Sequence, residues 1–301
     1  MKLQLAANIS TSRVDRQSAI YALPNLKRLR SLTESDRQEV LAFLKIRPVH
    51  AVVMTSWIID NGIENELNRG KFYGYRGTDG KLEGVALIGH TTLIEARSDD
   101  ALMAFAVAAK TSKTPIHLVM SDGNATEKFW QYFAGPDQKP RMACIELLFE
   151  LNFPFLVQPW GWNIRTAEID ELEQVAEAHA EVAFVESGVD PLEKDREGFL
   201  KRTLRRIEKE RTFVVFDNGK LVFKADIVAE TSEVIYLEGI YVAPEYRGQG
   251  VASSCLSELS RRLLSRGQNI CLLSNVEFEN AHRSFLKAGY KNTDYCQTIF
   301  V

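Results

Sequence analysis

The stretch Pro244-Glu245-Tyr246-Arg247-Gly248-Gln249-Gly250-Val251-Ala252 joins two segments with different hydrophobic patterns. Residues 234–242, before it, are rich in β-branched and aromatic residues, which predicts a strand that ends near Val242. After it, apolar residues recur at the spacing of one helix face, which predicts an amphipathic helix. This apolar stripe consists of Ala252, Cys255, Leu256, Leu259 and Leu263. We therefore expect a strand, a glycine-containing loop and a helix in direct succession.

The loop between this strand and this helix has the features of an anion-binding site. The first turn of a helix carries free backbone N–H groups and the positive end of the helix dipole. Gly248 and Gly250 lack side chains, so a phosphate can approach the backbone closely, and Arg247 adds a positive charge beside it. The alternative is that the two glycines only make a tight connection between strand and helix.

The spacing of the glycines and the arginine in the loop indicates which phosphate-containing ligand it binds. Neither the glycine pattern of a dinucleotide fold nor that of a P-loop is present. Instead, Arg247-x-x-Gly250-x-Ala252 resembles the pyrophosphate loop of the GNAT superfamily of N-acyltransferases, [RQ]-x-x-G-x-[GA]. The resemblance implies that acetyl-CoA is the co-substrate. It also implies that the loop residues bind its pyrophosphate, namely Arg247, Gly248, Gln249, Gly250, Val251 and Ala252.

A second observation concerns the whole chain, because three patterns occur twice. A strand, a helix start and an apolar helix face begin at Arg30 and again at Arg165. A hairpin turn follows at Gly80 and again at Gly219, and a strand with a helix ending at an Ala-Gly pair closes each copy. We expect two tandem GNAT-like α+β domains, each with a mixed, mostly antiparallel, twisted sheet flanked by helices. The boundary is placed between domains 1–157 and 158–301, because residues 154–162 carry two prolines and a glycine.

The two copies differ at the loop that lies between the hairpin and the helix after it. In the first copy this position reads Ser98-Asp99-Asp100-Ala101, with no glycine and two carboxylates. Negative charge there would repel a pyrophosphate, so we expect only the second copy to bind acetyl-CoA. The first copy is interpreted as structural, or as a wall of the acceptor site.

Glu238 is the candidate general base. An ammonium must lose a proton before it attacks a thioester, and Glu238 lies in an otherwise apolar strand just before the loop. Several GNAT members are similar in placing a glutamate on the corresponding strand. The alternative is an outward-facing or salt-bridged residue. By the same resemblance, the end of this strand would bind the thioester carbonyl or pantetheine through Ile240, Tyr241 and Val242.

Residues 272–290 are similar to the last GNAT motif but depart from it at the general acid. Asn275 is a candidate contact for pantetheine or the acceptor, or else a turn residue. Phe285 stands where the family often has a tyrosine that protonates the leaving thiolate, and phenylalanine has no proton to give. The acid is then Tyr290, Tyr295 or water, or the thiolate leaves unprotonated.

The amino-acid composition and net charge disfavour some classes of binding partner. With 45% apolar residues, 26% charged residues and a net charge of −3, the chain is expected to be a globular cytoplasmic protein without a nucleic-acid or membrane partner, and a homodimer is possible in principle. The four cysteines and five histidines show no ligand spacing, so we expect core thiols and no metal.

The charged run at residues 193–211 is interpreted as a solvated helix face, with an acceptor or nucleotide contact as the alternative.

These observations favour an N-acetyltransferase that moves the acetyl group of acetyl-CoA to a primary amine, on a small molecule or a peptide, by direct attack in a ternary complex. Because Phe285 replaces the usual acid, a non-catalytic acyl-CoA sensor is the first alternative. A tRNA-dependent aminoacyl transferase is the second. It would need a basic groove and no intact pyrophosphate loop, and the sequence has the reverse pattern.

Overall fold

The computed structural model describes residues 24–153, 161–265 and 268–301, and within these ranges the chain is a mixed α+β structure. The strands are β1 (Leu29–Ser31), β2 (Gly70–Arg76), β3 (Leu82–Gly89), β4 (Thr91–Ala96), β5 (Leu118–Asp122), β6 (Met142–Leu151), β7 (Arg165–Thr166), β8 (Thr212–Asp217), β9 (Lys220–Glu230), β10 (Val234–Val242), β11 (Asn269–Asn275) and β12 (Lys291–Phe300). The α-helices are α1 (Arg37–Leu44), α2 (Val52–Asn61), α3 (Asp99–Lys110), α4 (Gly123–Phe133), α5 (Leu172–Ser187), α6 (Pro191–Glu208), α7 (Val251–Leu264) and α8 (Glu279–Lys287).

The repeated patterns correspond to repeated structure. Arg30 on β1 is paired with Asp36, and Arg165 on β7 is paired with Glu171 in the equivalent position. In both copies that acidic residue also completes a capping box at the start of the first helical segment. The hairpins β2–β3 and β8–β9 follow in each half. The predicted α+β fold with two GNAT-like halves is therefore confirmed.

The twelve strands of the described ranges form one continuous sheet, in the order β1-β2-β3-β4-β5-β12-β6-β11-β10-β9-β8-β7. The last strand of each half is exchanged. Strand β6 of the first half lies between β11 and β12, whereas β12 of the second half lies between β5 and β6. The division into domains 1–157 and 158–301 remains a prediction, and most of its proposed junction lies outside the described residues.

Helices cover both faces of this sheet. Side chains alternate between faces along a strand, so Leu148 packs with α1 and α2, while its neighbour Phe149 packs with α7 and α8. Likewise, Tyr236 of β10 lies on the α1–α2 face, and Leu237 lies on the α7–α8 face. Within the described ranges, no helix combines the length and apolarity that crossing a membrane requires.

All four cysteines are free and buried, as predicted for core thiols. They lie on three strands and one helix, namely Cys144 on β6, Cys255 on α7, Cys271 on β11 and Cys296 on β12. Burial raises the pKa of the Cys255 and Cys296 thiols to about 12. Their thiolate fraction at neutral pH is therefore small, which fits a packing role.

Candidate active site

Strands β10 and β11 run parallel and then stop pairing. Their register extends from Val234 opposite Asn269 to Leu237 opposite Leu272, although both strands continue. On its other side β10 remains paired with β9, but the register shifts between Glu238 and Tyr241. Gly239, inside this bulge, has a φ of 61°, a left-handed conformation that favours glycine. The end of β10 therefore presents an unpaired backbone edge.

A cleft of about 850 Å³ opens where the two strands separate, and we call it the cofactor-side cleft. Residues 237–242 of β10 form one wall, so the predicted ligand residues Ile240, Tyr241 and Val242 all line it. Leu273 and Ser274 of β11 form the opposite wall. Helix α5 and helix α8, the latter through Ala281 and Phe285 among others, close the remaining sides.

The glycine loop follows directly after this edge of β10. Residues Pro244–Tyr246 make one turn of 3₁₀-helix, and α7 begins at Val251, as predicted from the apolar stripe. Gly248 and Gly250 have φ values of 75° and 83°, so glycine is the residue type that adopts both positions without strain. Gly250 is the N-cap of α7, and no side chain caps this helix start. The first-turn amides of Val251 and Ala252 therefore have the arrangement that suits an anion.

Two side chains of the loop are held by short hydrogen bonds. Arg247 donates from Nε to the Val242 carbonyl and from Nη2 to Glu181 of α5, both at 2.8 Å. Its guanidinium also borders the cofactor-side cleft. Gln249 donates from Nε2 to the Glu245 carbonyl at 2.8 Å. An incoming pyrophosphate would meet Arg247 already positioned, with Glu181 as the competing anion.

Glu238 lies at the junction of two clefts. It borders the cofactor-side cleft and also a second cleft of about 930 Å³, which we call the acceptor-side cleft. Among the described residues, none forms a hydrogen bond with its carboxylate, so the salt-bridged alternative is not what the geometry shows. Burial raises the pKa of Glu238 above the ordinary value, and the charge of Asp226 adds to the rise, while Arg206 and Lys224 oppose it.

Both halves of the chain build the acceptor-side cleft. The first half contributes an apolar wall that includes Trp57, Leu93 and Met120, and the second half contributes Tyr236, Glu238 and Phe300. Asn275 also borders this cleft, not the cofactor-side cleft. Its Oδ1 accepts a hydrogen bond from the Glu277 amide at 3.0 Å. The cofactor role of Asn275 thus remains a prediction, and its position favours the acceptor and turn alternatives.

Two further carboxylates, missed in the sequence, face the same space as Glu238. Glu146 of β6 and Glu186 of α5 both line the acceptor-side cleft. Glu186 is an exposed residue that borders both clefts, and partial desolvation there, together with the charges of Glu238 and Glu146, raises its pKa to about 8. Burial likewise raises the pKa of Glu146, although Thr298 donates a hydrogen bond to it.

This charge crowding predicts a pH-dependent gain of stability in E186Q. An acid whose pKa is raised by folding contributes stability below its unfolded pKa and loses it as the pH rises through the folded value, here about 8. E186Q should therefore unfold at a higher temperature than the native protein at pH 9, and at the same temperature at pH 4. Thermal unfolding followed by circular dichroism tests this. Equal melting temperatures of E186Q and the native protein at both pH 4 and pH 9 would show that folding does not raise the pKa of Glu186.

A buried ionic cluster lies behind the bulge and was also missed. Lys224 is fully buried, and its Nζ donates to the Gly239 carbonyl at 3.1 Å and to Asp226 Oδ2 at 2.5 Å. Arg206 of α6 donates to the same Oδ2 at 2.8 Å. Thr212 donates to the other oxygen, also at 2.8 Å. Arg206 therefore enters the interior, in contrast to the solvated helix face expected for residues 193–211.

His179 of α5 completes the cluster. Its Nδ1 lies 3.1 Å from Asp226 Oδ2 and 3.3 Å from Lys224 Nζ. Burial, reinforced by the charge of Lys224, lowers the pKa of His179 to about 4. The imidazole is therefore neutral at pH 7, and Asp226 provides one negative charge that both Lys224 and Arg206 share.

None of the predicted tyrosines lies where a general acid is needed. Phe285 does border the cofactor-side cleft, as the motif predicts. Tyr290 is instead buried against α7, where its Oη lies 2.7 Å from Ser260 Oγ, and burial raises its pKa far above the ordinary value. Tyr295 packs against Gly123 and borders neither cleft. The side-chain hydroxyl that does border the cofactor-side cleft, apart from Tyr241, belongs to Ser274.

The equivalent position in the first half is blocked by its own side chains. Ser98 caps α3 by accepting a hydrogen bond from the Ala101 amide, and Asp99 and Asp100 occupy the first turn. Between β4 and β5, the Arg47 guanidinium bridges Glu95 and Asp122 at 3.3 and 2.8 Å. That the first half does not bind acetyl-CoA in this way stays a prediction. In the described residues, no group of three or more His, Cys, Asp or Glu side chains is arranged to hold a metal ion.

Comparison with known proteins agrees with this geometry. The tandem arrangement of one α+β unit, with a glycine loop at the start of a helix, defines the class of fold. Residues 171–290 match the model of the acetyltransferase (GNAT) family. The second half of the chain is therefore a GNAT-family domain. No curated protein matches the chain significantly.

Three solved structures cover almost the whole chain. A GCN5-related N-acetyltransferase from Sphaerobacter thermophilus has a TM-score of 0.60 at 14% identity, over 92% of this chain and 96% of the other. A GNAT-family acetyltransferase from Colwellia psychrerythraea has a TM-score of 0.56 at 15% identity, over 91% and 99%. A tandem GNAT protein from the clavulanic acid biosynthesis pathway has a TM-score of 0.55 at 12% identity, over 90% and 97%. At these identities the likeness extends to the fold alone.

Proposed function

We propose that this chain is an acetyl-CoA-dependent N-acetyltransferase that acts on a primary amine. The observation that carries the proposal is that Glu238 borders both the cofactor-side cleft and the acceptor-side cleft. A group in that position can take a proton from an amine that approaches from one side while the thioester lies on the other. The GNAT family match over residues 171–290 supports acetyl transfer as the reaction type.

The cofactor residues have distinct roles in this proposal. Arg247 and the amides from Gly248 to Ala252 bind the pyrophosphate at the start of α7. The unpaired edge of β10, over Ile240, Tyr241 and Val242, binds the pantetheine chain and polarises the thioester carbonyl. The coenzyme supplies the activated acetyl group, and the chain holds and orients it.

The chemical step is a direct transfer. The amine nitrogen forms a bond to the acetyl carbon, the carbon–sulfur bond breaks, and the electron pair leaves with sulfur. Glu238 takes the proton that the ammonium loses. The thiolate leaves unprotonated and takes its proton from water, because Phe285 has none to donate, and Ser274 can donate a hydrogen bond to the departing sulfur. No cysteine acts as a nucleophile, since all four thiols are buried.

The cofactor assignment is tested by placing negative charges at two positions of the glycine loop. Isothermal titration calorimetry should show acetyl-CoA binding to the native protein and at least a hundredfold weaker binding to R247E/G250D. Two carboxylates would then face the phosphates, and each lost charge-assisted hydrogen bond weakens binding by about tenfold or more. E193Q, which changes an exposed glutamate of α6, serves as the control. Equal affinity in native protein and double variant would remove the cofactor assignment.

An acyl-CoA sensor is the second candidate function, favoured by Phe285 in the cofactor-side cleft. Both candidates require acetyl-CoA binding. Only the enzyme releases free thiol when amines are added, so an assay of thiol release over a panel of primary amines distinguishes them. Tight acetyl-CoA binding without thiol release from any amine would favour the sensor.

A further inference from the structure

The acceptor-side cleft carries more acidic groups than the deprotonation of one amine requires. We propose that its acceptor is an aliphatic diamine, with one amine presented to Glu238 and the second ammonium held by Glu146 and Glu186. This inference rests on the proposed acetyltransferase function and specifies its substrate class. The product would be the mono-N-acetylated diamine together with free coenzyme A thiol.

A polar side chain without a protein partner lies at the acidic end of the cleft. Tyr236 is 93% buried, since only 7% of its surface is exposed, and it borders the acceptor-side cleft. Its hydroxyl has no hydrogen-bond partner among the described residues. Glu238, Glu146 and Glu186 line the same cleft as Tyr236, and burial, reinforced by their charges, raises the pKa of Tyr236. Because this hydroxyl borders the cleft without a protein partner, a bound ammonium or amine can donate a hydrogen bond to it.

The positions of the carboxylates fit two separated cations. Glu238 lies on β10 and Glu146 on β6, and β11 lies between these two strands. Glu146 is opposite Asn275, at the end of β11 that has separated from β10. Because adjacent strands are about 4.8 Å apart, the two backbone positions are at least about 10 Å apart across the sheet. A chain with an ammonium at each end spans such a gap better than a single ammonium does.

The apolar walls and the surrounding charges determine which groups an acceptor can carry besides its amines. Between the acids, the cleft is lined by apolar side chains that suit methylene groups, namely Val53, Trp57, Leu93, Leu118, Met120 and Phe300. The cations closest to Glu238, Lys224 and Arg206, are already paired with Asp226. A carboxylate on the acceptor would therefore meet three glutamates and no free cation among them, which disfavours amino acids.

The test compares molecules that differ only at one end. Acetyl transfer from acetyl-CoA is measured with 1,5-diaminopentane, 1-aminopentane and 5-aminopentanoate, while 1,4-diaminobutane and 1,6-diaminohexane cover the neighbouring lengths. We expect kcat/KM for the best diamine to exceed that of 1-aminopentane at least tenfold, since a charge-assisted pair contributes that much. We expect 5-aminopentanoate to be the poorest acceptor. Equal values for diamine and monoamine, or a preference for the amino acid, would overturn the proposal.

Variants and a binding measurement separate this proposal from the general function. E146Q should lower kcat/KM for the diamine at least tenfold and for 1-aminopentane by much less. E150Q, on the same strand but outside the cleft, should change neither value. Calorimetry of the same amines in the presence of coenzyme A provides a readout that needs no turnover. If acetyl-CoA fails to bind, the proposed function fails, yet tighter binding of the diamine would still support the acceptor class. If amines are acetylated without diamine preference, only this inference fails.

Discussion

E238Q is expected to lower kcat by about 10²- to 10⁴-fold, the usual contribution of a positioned general base. Glutamine keeps the size of the side chain but cannot accept the proton of the attacking ammonium. The affinity for acetyl-CoA should change little, because the loop from Arg247 to Ala252 is unaltered. Steady-state kinetics with a saturating amine and calorimetry with acetyl-CoA measure the two quantities separately.

The pH dependence of kcat/KM provides a second test of Glu238 as the general base. Burial raises the pKa of Glu238 above the ordinary 4.5, so the native kcat/KM should fall on the acid side at a pH above that value. Glu146 and Glu186 titrate in the same space as Glu238. The acid limb of the kcat/KM profile therefore reports the three interacting carboxylates together. In E238Q the acid limb should become shallower, because Glu238 no longer takes part in the coupled titration, whereas E193Q should keep the native limb. Full activity of E238Q across the pH range would exclude Glu238 as the base.

The local parts of the site could be predicted from the sequence because they depend on neighbours in the chain. The strand that ends at Val242, the loop with Gly248 and Gly250, and the helix that starts at Val251 each have a pattern within a few residues. The position of Glu238 just before the loop follows from the same stretch.

The acceptor side could not be predicted because it is assembled from distant segments. Glu146 reaches the site only because β6 is exchanged between the halves, and strand pairing of that kind leaves no local pattern. Glu186 enters from the last turn of α5. Both residues look like ordinary surface acids when read one at a time. The repeat suggested two separate sheets, whereas backbone pairing joins the halves into one.

Lys224 and Asp226 did leave a signal in the sequence. They interrupt the apolar run from Leu221 to Val228 at positions two apart, which places both on one face of a strand. Charged residues on an exposed strand face are common, so the pattern alone favoured solvent exposure. Their full burial results from α5 and α6, which bring His179 and Arg206 over that face.

Substitution of Lys224 should affect both stability and the reaction. In K224M, Asp226 keeps Arg206 and Thr212 as partners, but the Gly239 carbonyl loses its buried donor. Removal of one member of a buried ion pair lowers the free energy of unfolding by about 3 kcal/mol. The bulge at Gly239 would then relax, and its φ of 61° would no longer be held by a bond from Lys224. Because the bulge shapes the part of β10 that lines the cofactor-side cleft, KM for acetyl-CoA should rise about tenfold or more.

T212V separates the two effects. It removes another hydrogen bond to Asp226 but leaves the contact of Lys224 with Gly239, so it should cost about 1 kcal/mol and leave KM for acetyl-CoA unchanged. Urea unfolding measures the stability of both variants, and kinetics at a temperature where both are folded measure KM. The backbone amide resonances of Gly239 and Ile240 should shift in K224M and not in T212V. If both variants lose stability and neither changes KM, Lys224 stabilises the fold without positioning the bulge.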